Sequence, residues 1–378
     1  MSKSNYALTR RQSLKTLAGG FCVCWWGLGS RPVSADDVPW LEEIQPQSPE
    51  KTLEQFSNLL KSPSGESITT VEDWERQRKA IRQRWLDFLG PMPERDFDLD
   101  MKVVSEEIVG NVRRQLVEYN VEVDLRAPGY LLRPTADVPE GKWPAIAGLH
   151  QTTTKTIDEI AGVSGPADMS IGMKMAREGY VVFCPKNYLW HNVNKKSEGK
   201  GYTEAVAQLA ERHPKTLGMM KMLYDAQRGV DLLCSLDDVD QERIGAMGHS
   251  LGAKETFYLM AFDERVKAGV ASDGGTGFTS TNWNAPWYLG KQIEQPDFPL
   301  DHHELLALIA PRPFLILAGE VGAAADGDRT WPYLQAALPV WELYDKPVRL
   351  GMYNHRLGHV LPPEIYAKLE AWLKTYVA

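Results

Sequence analysis

The chain has 378 residues, 43% hydrophobic and 24% charged, with a formal net charge of −8. That composition excludes a disordered or collagen-like polypeptide and gives enough length for one large domain or two modest ones. The acidic balance repels polyanions and argues against a nucleic-acid ligand.

The first 35 residues read as an export signal. Arg10-Arg11 precede an apolar run ending near Leu28, and Val33 and Ala35 stand at the −3 and −1 positions of a small-residue cleavage site. The paired arginines give it a twin-arginine character, with a periplasmic or extracellular destination. The apolar run is too short for a membrane span, so no stable insertion of the mature chain is expected. Cleavage after Ala35 removes five basic residues and no acids, so the net charge of −8 becomes −13. Cys184 and Cys234 remain, in apolar contexts that suit buried free thiols, although an exported chain also permits a disulfide.

Residues 36–100 form an N-terminal extension, irregular at first and then helical. In "VEDWERQRKAIRQRWLDFLG", Trp74, Ile81, Trp85 and Phe88 recur at helical spacing until Gly90 and Pro91 stop the helix. From Met101 the period changes to two, predicting antiparallel strands over "KVVSEEIV", "RRQLVEYNVEVD" and "APGYLLRP". Unalternating apolar runs at 144–150, 179–185, 243–247, 265–272 and 312–319 read as buried strands, and 347–354 as the last strand. Helical patterns fall between them: Met219 to Leu233, the segment after Gly252, residues 330–344 with a bend or break at Pro339, and a final helix through Ile365, Leu369, Trp372 and Leu373. Strands alternating with helices predict an α/β catalytic domain over 101–378, its mainly parallel sheet covered on both faces.

One strand runs into Gly248-His249-Ser250-Leu251-Gly252, and a helical pattern follows. Gly-x-Ser-x-Gly in a strand-turn-helix context is the setting of a nucleophilic serine. The helix N-terminus turns its positive end and the Leu251 N–H toward the reaction centre. A serine hydroxyl needs a base, and the base needs an acid to hold its tautomer. His359, after the last strand, is the expected base, with His355 lining the site. Asp326 is the preferred acid; Asp328, Glu320 and Asp273 are the alternatives. The second oxyanion donor is expected in "LHQTTTKT", from the backbone of Gln151 or Thr152. His150, Tyr188, Trp190, Trp283 and Trp287 stand on loops after strands and complete the expected substrate pocket with His355.

His355 and His359 have an i, i+4 spacing, but no helix signal and no third ligand accompany them, so neither a metal nor an organic cofactor is expected. "HELLA" also fails as a zinc motif, because Ala307 stands where the second histidine would be; Asp301 capping a short helix explains it better.

"RIGAMGHSLGAKE", "HELLALIAPRPFLILAG", "DGDRTWPYL" and "NHRLGH" together resemble the α/β-hydrolase superfamily, and within it exported bacterial esterases related to acetyl xylan esterases and dienelactone hydrolases. The likeness covers about residues 100–378. It implies the α/β-hydrolase fold and Ser–acid–His chemistry, expected here as a serine carboxylesterase working through an acyl-enzyme; the aromatic pocket would suit a small-molecule or carbohydrate ester, an acetylated sugar or an aryl ester. The segment "GEVGAAADGD" is longer than the short turn common in the superfamily, which is why the acid stays open. A prolyl-oligopeptidase-like peptidase is the first alternative, disfavoured because the residues before Met101 are too few for a propeller. An inactive binding protein of the same fold is the second.

Overall fold

The computed structural model describes residues 56–191, 201–322, 325 and 327–378. The expected export signal and Asp326 lie outside them. Among the described residues no helix is long and apolar enough to cross a membrane.

Among the described residues nine strands form one sheet: β1 (Lys102–Val109), β2 (Val112–Glu122), β3 (Leu125–Pro134), β4 (Trp143–Leu149), β5 (Val181–Pro185), β6 (Val239–His249), β7 (Val266–Ser272), β8 (Phe314–Ala318) and β9 (Leu350–Asn354). Their order is β1-β2-β3-β5-β4-β6-β7-β8-β9. The first three pair antiparallel, β3 pairs antiparallel with β5, and every later pairing is parallel. The parallel strands are those whose apolar runs lack alternation. Residues 244–249 of β6 and all of β5 and β8 are buried, as a sheet covered on both faces requires.

The covering helices are α1 (Val71–Leu89), the single turn α2 (Ile157–Ile160), α3 (Ile171–Arg177), α4 (Gly201–Arg212), α5 (Gly218–Cys234), α6 (Leu251–Phe262), α7 (His302–Ile309), α8 (Gly327–Leu343) and α9 (Pro363–Tyr376). Thr70 caps α1 by accepting from the Asp73 N–H. At its other end Gly90 has φ +89°, and a Cβ there would strike the Lys215 carbonyl. Trp74, Ile81, Trp85 and Leu89 of α1 are buried in the common core. The Trp85 Nε1–H donates to Glu304 of α7 at 2.9 Å, so the extension helix is docked on the sheet's helical cover. α8 does not break: it runs through Pro332 and Pro339. Pro339 removes the intrahelical hydrogen bond that would reach the Gln335 carbonyl, and the helix continues without it. Asp301 caps α7 by accepting from the His302 N–H at 2.7 Å.

Parallel register sets up the site. His249 is opposite Ser272, Ser272 opposite Leu317, and Ala318 opposite Asn354. The residues that follow, Ser250, Asp273, Gly319 and His355, therefore emerge in a row from the carboxyl edge of four neighbouring strands. This is where ligand sites of parallel α/β sheets form.

Candidate active site

Three backbone hydrogen bonds extend the ladder just past the strand ends: Ser250 N–H to Ser272, Asp273 N–H to Leu317, and His355 N–H to Ala318, each 2.8 Å. Each side chain in the row is thus fixed by its own main chain. Ser250 sits at φ 57°, ψ −115° between β6 and α6. That left-handed backbone strains a non-glycine residue. It is held because the chain must turn sharply from strand into helix. A Cβ on Gly248 would collide with Gly252, and one on Gly252 with the Leu149 carbonyl. The glycines thus let the turn close and bring the loop after β4 against the start of α6. The first N–H groups of α6 have no carbonyl within the helix to bond.

Asp273, also at positive φ (53°), points into the site. Its Oδ1 accepts from the Gly319 N–H at 2.7 Å. Its Oδ2 is buried without a hydrogen-bond partner. That oxygen is 3.9 Å from His249 Nδ1 and 3.9 Å from His355 Nε2. Burial, reinforced by the nearby Glu320 charge, pushes the Asp273 carboxyl up to about 8 despite the Gly319 N–H. His355 is pressed against Gly319, its side chain 1% exposed, with Nδ1 accepting from the Leu357 N–H at 3.3 Å. Burial lowers it to about 4.

His359 is the outermost of the group, its side chain 40% exposed. Its ring packs on that of His249, the residue just before Ser250, with centroids 4.7 Å apart. Its Nδ1 faces Glu320 Oε1 at 3.9 Å. Partial burial lowers its pKa, against the raising effect of Glu320. The loop carrying both histidines is tied to β8 by the Gly358 N–H to Gly319 bond of 2.9 Å. Asp328 is engaged differently: its Oδ1 accepts from Asn354 Nδ2 at 3.1 Å and Arg356 Nη2 at 2.8 Å.

On the other side, the loop after β4 is held by buried polar groups. The Asn187 N–H donates to His150 Nε2 at 3.1 Å, so the ring proton is on Nδ1, which donates to the Gln151 carbonyl at 2.8 Å. Burial lowers His150 to about 4, consistent with a neutral ring. The Gln151 amide and the Thr153 hydroxyl both donate to Glu159, the latter at 3.1 Å. Asn187 Nδ2 donates to Glu255 on α6 at 2.7 Å. The network therefore spans from Glu159 to the helix that begins at Ser250.

The expected pocket aromatics are largely interior. Trp283, Tyr188 and Trp190 are buried, and Trp283 Nε1 donates to the Gly275 carbonyl at 3.1 Å. Trp287 is half-buried and meets Tyr202 at 5.4 Å. Trp283 and Tyr288 flank the Lys254 ammonium at 4.4 and 4.3 Å, and Nζ donates to Thr281 and Asn282 at 2.7 Å each. Burial pulls this lysine well below its ordinary pKa. Lys254, Glu255, Glu159, Asn187 and His249 are the site residues that sequence reasoning missed. Lys254 and Glu255 carried a signal, since two charges stand at the head of the otherwise apolar run "TFYLMAF".

The remaining motif residues have structural duties. His302 accepts from the Tyr258 hydroxyl at 2.8 Å and donates to the Thr276 carbonyl at 2.6 Å. Cys184 and Cys234 are both free thiols.

Comparison with known proteins agrees with this fold. The model of the dienelactone hydrolase family matches residues 129–296. YtaP of Bacillus subtilis, described as a hydrolase, is 25% identical over 253 residues, covering 64% of this chain and 80% of its own. Carbohydrate esterase MZ0003, from an unknown prokaryote, is 27% identical over 135 residues, 30% of this chain and 31% of its own length. Among solved structures, a glucuronoyl esterase from Solibacter usitatus superposes with TM-score 0.68 at 20% identity, covering 85% of this chain and 98% of that one. A second, from Teredinibacter turnerae, gives TM-score 0.66 at 20% identity, covering 96% and 97%.

Proposed function

We propose that this chain, which has the α/β-hydrolase fold and matches the dienelactone hydrolase family model over residues 129–296, is a serine carboxylesterase acting on carbohydrate esters. The observation that carries this reading is Ser250 at φ 57° on the strand-helix turn, with Asp273, Glu320, His355 and His359 gathered at the neighbouring strand ends. Ser250 attacks the ester carbonyl while His359 takes its proton. The imidazolium then protonates the departing alcohol, and water releases the acyl group by the same steps in reverse roles. The Leu251 N–H and one N–H of Gln151 or Thr152 stabilise the oxyanion.

The acid is assigned by which ring nitrogen it faces. A triad needs its carboxylate at Nδ1, leaving Nε2 for the serine. Glu320 faces His359 Nδ1. Asp273 points instead at His355 and His249, and Asp328 is engaged by Arg356 and Asn354. Glu320 is therefore the acid of this reading, and Asp326 and Asp273 are its competitors in the test.

Carbohydrate esters are chosen as substrates because relatives in sequence and in fold are named as carbohydrate and glucuronoyl esterases. Residues 1–35 are proposed as the signal that exports the enzyme, with 36–100 as an extension and 101–378 as the catalytic domain. N-terminal sequencing of secreted protein checks the cleavage site.

The decisive experiment is Ser250→Ala. It should abolish hydrolysis of p-nitrophenyl acetate and labelling by a fluorophosphonate while preserving the circular dichroism spectrum. Retained turnover by the pure variant removes the assignment. A wild-type protein that takes no label favours a binding protein with an inactive site. Acetylated sugars, aryl esters and uronate methyl esters, compared by kcat/KM, then define the ester class.

A further inference from the structure

Sequence spacing offers two histidines without a third ligand. The fold supplies more. One ring nitrogen each of His249 and His359 and one oxygen of Asp273 lie within 4.8 Å of one another. They come from the end of β6, the turn after β7 and the loop after β9, so only the tertiary structure unites them. Two of the three side chains are interior: His249 is 2% exposed and Asp273 0%. Asp273 Oδ2 has no hydrogen-bond donor, and the buried His355 Nε2, 3.9 Å from it, has no partner either.

An orphaned carboxylate oxygen in the interior loses its hydration without recompense. His249 and His359 each bring one ring nitrogen to the same space. A cation that prefers nitrogen and oxygen ligands at about 2.0–2.2 Å satisfies all of them together. Tetrahedral geometry at such bond lengths separates ligand atoms by about 3.3 Å. His249 Nδ1 and Asp273 Oδ2 are at 3.9 Å, so they need a small contraction. The larger adjustment falls on His359, the half-exposed member on a loop. The Ser272 hydroxyl, 3.0 Å from His249 Nδ1, gives up at most one neutral hydrogen bond. Nitrogen ligands disfavour Mg²⁺ and Ca²⁺, which take oxygen sets.

We propose that His249, Asp273 and His359 form an inhibitory binding site for a divalent transition cation of the zinc type. The inhibition, though not the binding, rests on the esterase reading. The ion occupies a lone pair of His359, which then cannot take the proton of Ser250. Esterase activity stops without any change in the nucleophile.

The test separates binding from catalysis. Untagged full-length Ser250→Ala protein is titrated with Zn²⁺ by calorimetry, so the result does not depend on whether Ser250 is the nucleophile. One equivalent should bind, and His249→Asn and His359→Asn, each added to that background, should each weaken it at least tenfold. His213→Asn, at a distant ion pair with Glu122, should not. His359→Asn changes a half-exposed side chain and guards against misfolding of the buried variant. Wild-type hydrolysis of p-nitrophenyl acetate should fall at least tenfold under saturating Zn²⁺, recover with EDTA and ignore Mg²⁺. Absence of stoichiometric binding, or binding that survives both histidine substitutions, overturns the site. Full activity with the site saturated overturns the inhibition.

Discussion

Glu320 Oε1 stands 3.9 Å from Nδ1 of His359, while Asp273 Oδ2 stands 3.9 Å from Nε2 of His355. Two carboxylates from adjacent strands thus face two histidines of one loop, each from a different ring edge. Among the described residues, Glu320 is the carboxylate facing Nδ1 of His359, the position from which an acid would leave Nε2 of the proposed base free for a serine. Glu320→Gln should lower kcat by about 10³–10⁴, the scale of losing the acid that sets a triad tautomer. Asp273→Asn and Asp326→Asn should each cost less than about 10², because neither removes the Nδ1 partner in this reading. Steady-state kinetics of the three variants ranks them, and a larger loss for either aspartate moves the acid to that residue.

The pH dependence of stability isolates Asp273. Its folded pKa of about 8 lies above the ordinary aspartate value of 3.8, so between those values the folded state holds a proton that the unfolded state has lost. The group therefore favours folding most below pH 4, and that contribution is lost as pH rises toward 8. Asp273→Asn removes the titration. Thermal melts should show the variant gaining on wild type steadily from pH 5 to pH 8. A constant difference across that range contradicts the burial-driven shift.

Much of this arrangement was legible in the chain itself, and the reasons are local. Unalternating apolar runs mark buried parallel strands, and all of those expected are present. The Ser250 turn was legible because Gly248 and Gly252 are required by close backbone approaches that a Cβ would block. The helix around Pro339 was legible but its continuity was not, because a proline removes one intrahelical bond without deciding by itself whether the helix ends there. α4, headed by Gly201, was missed as well. The relation of Asp273 to His249 and His355 was hidden for a different reason. It depends on register between strands far apart in sequence, and no spacing rule encodes that.

With His359 as the proposed base, its titration should set the acid limb of the rate profile. The base must be neutral to accept the serine proton, so kcat/KM rises with pH through its pKa and then levels. Burial lowers that pKa below the ordinary 6.5. The acid limb of kcat/KM on a neutral ester should accordingly have its midpoint below pH 6.5. Glu320→Gln removes the one charge that raises the group, and should move the midpoint further down in whatever activity remains. An upward move contradicts the pairing.

The loop after β4 offers a test of oxyanion geometry at one remove from the chemistry. The Gln151–Thr152 peptide is planar and trans, so its carbonyl and the Thr152 N–H point in opposite directions. The His150 Nδ1–H holds the carbonyl, and the Asn187 N–H holds the ring in that tautomer. The orientation of the Thr152 N–H is thereby set by a buried side chain. His150→Leu frees the peptide to rotate and should cost about 10²–10³ in kcat, the scale of one lost oxyanion donor. KM should change little, because the donor acts on charge that develops only in the transition state. His150→Asn keeps an N–H near the Nδ1 position and should recover part of the loss. Affinity for a boronic acid that forms a tetrahedral adduct should fall with kcat across the two variants. A parallel loss of KM and kcat, or no recovery with asparagine in a protein that melts normally, would show that His150 merely packs the loop.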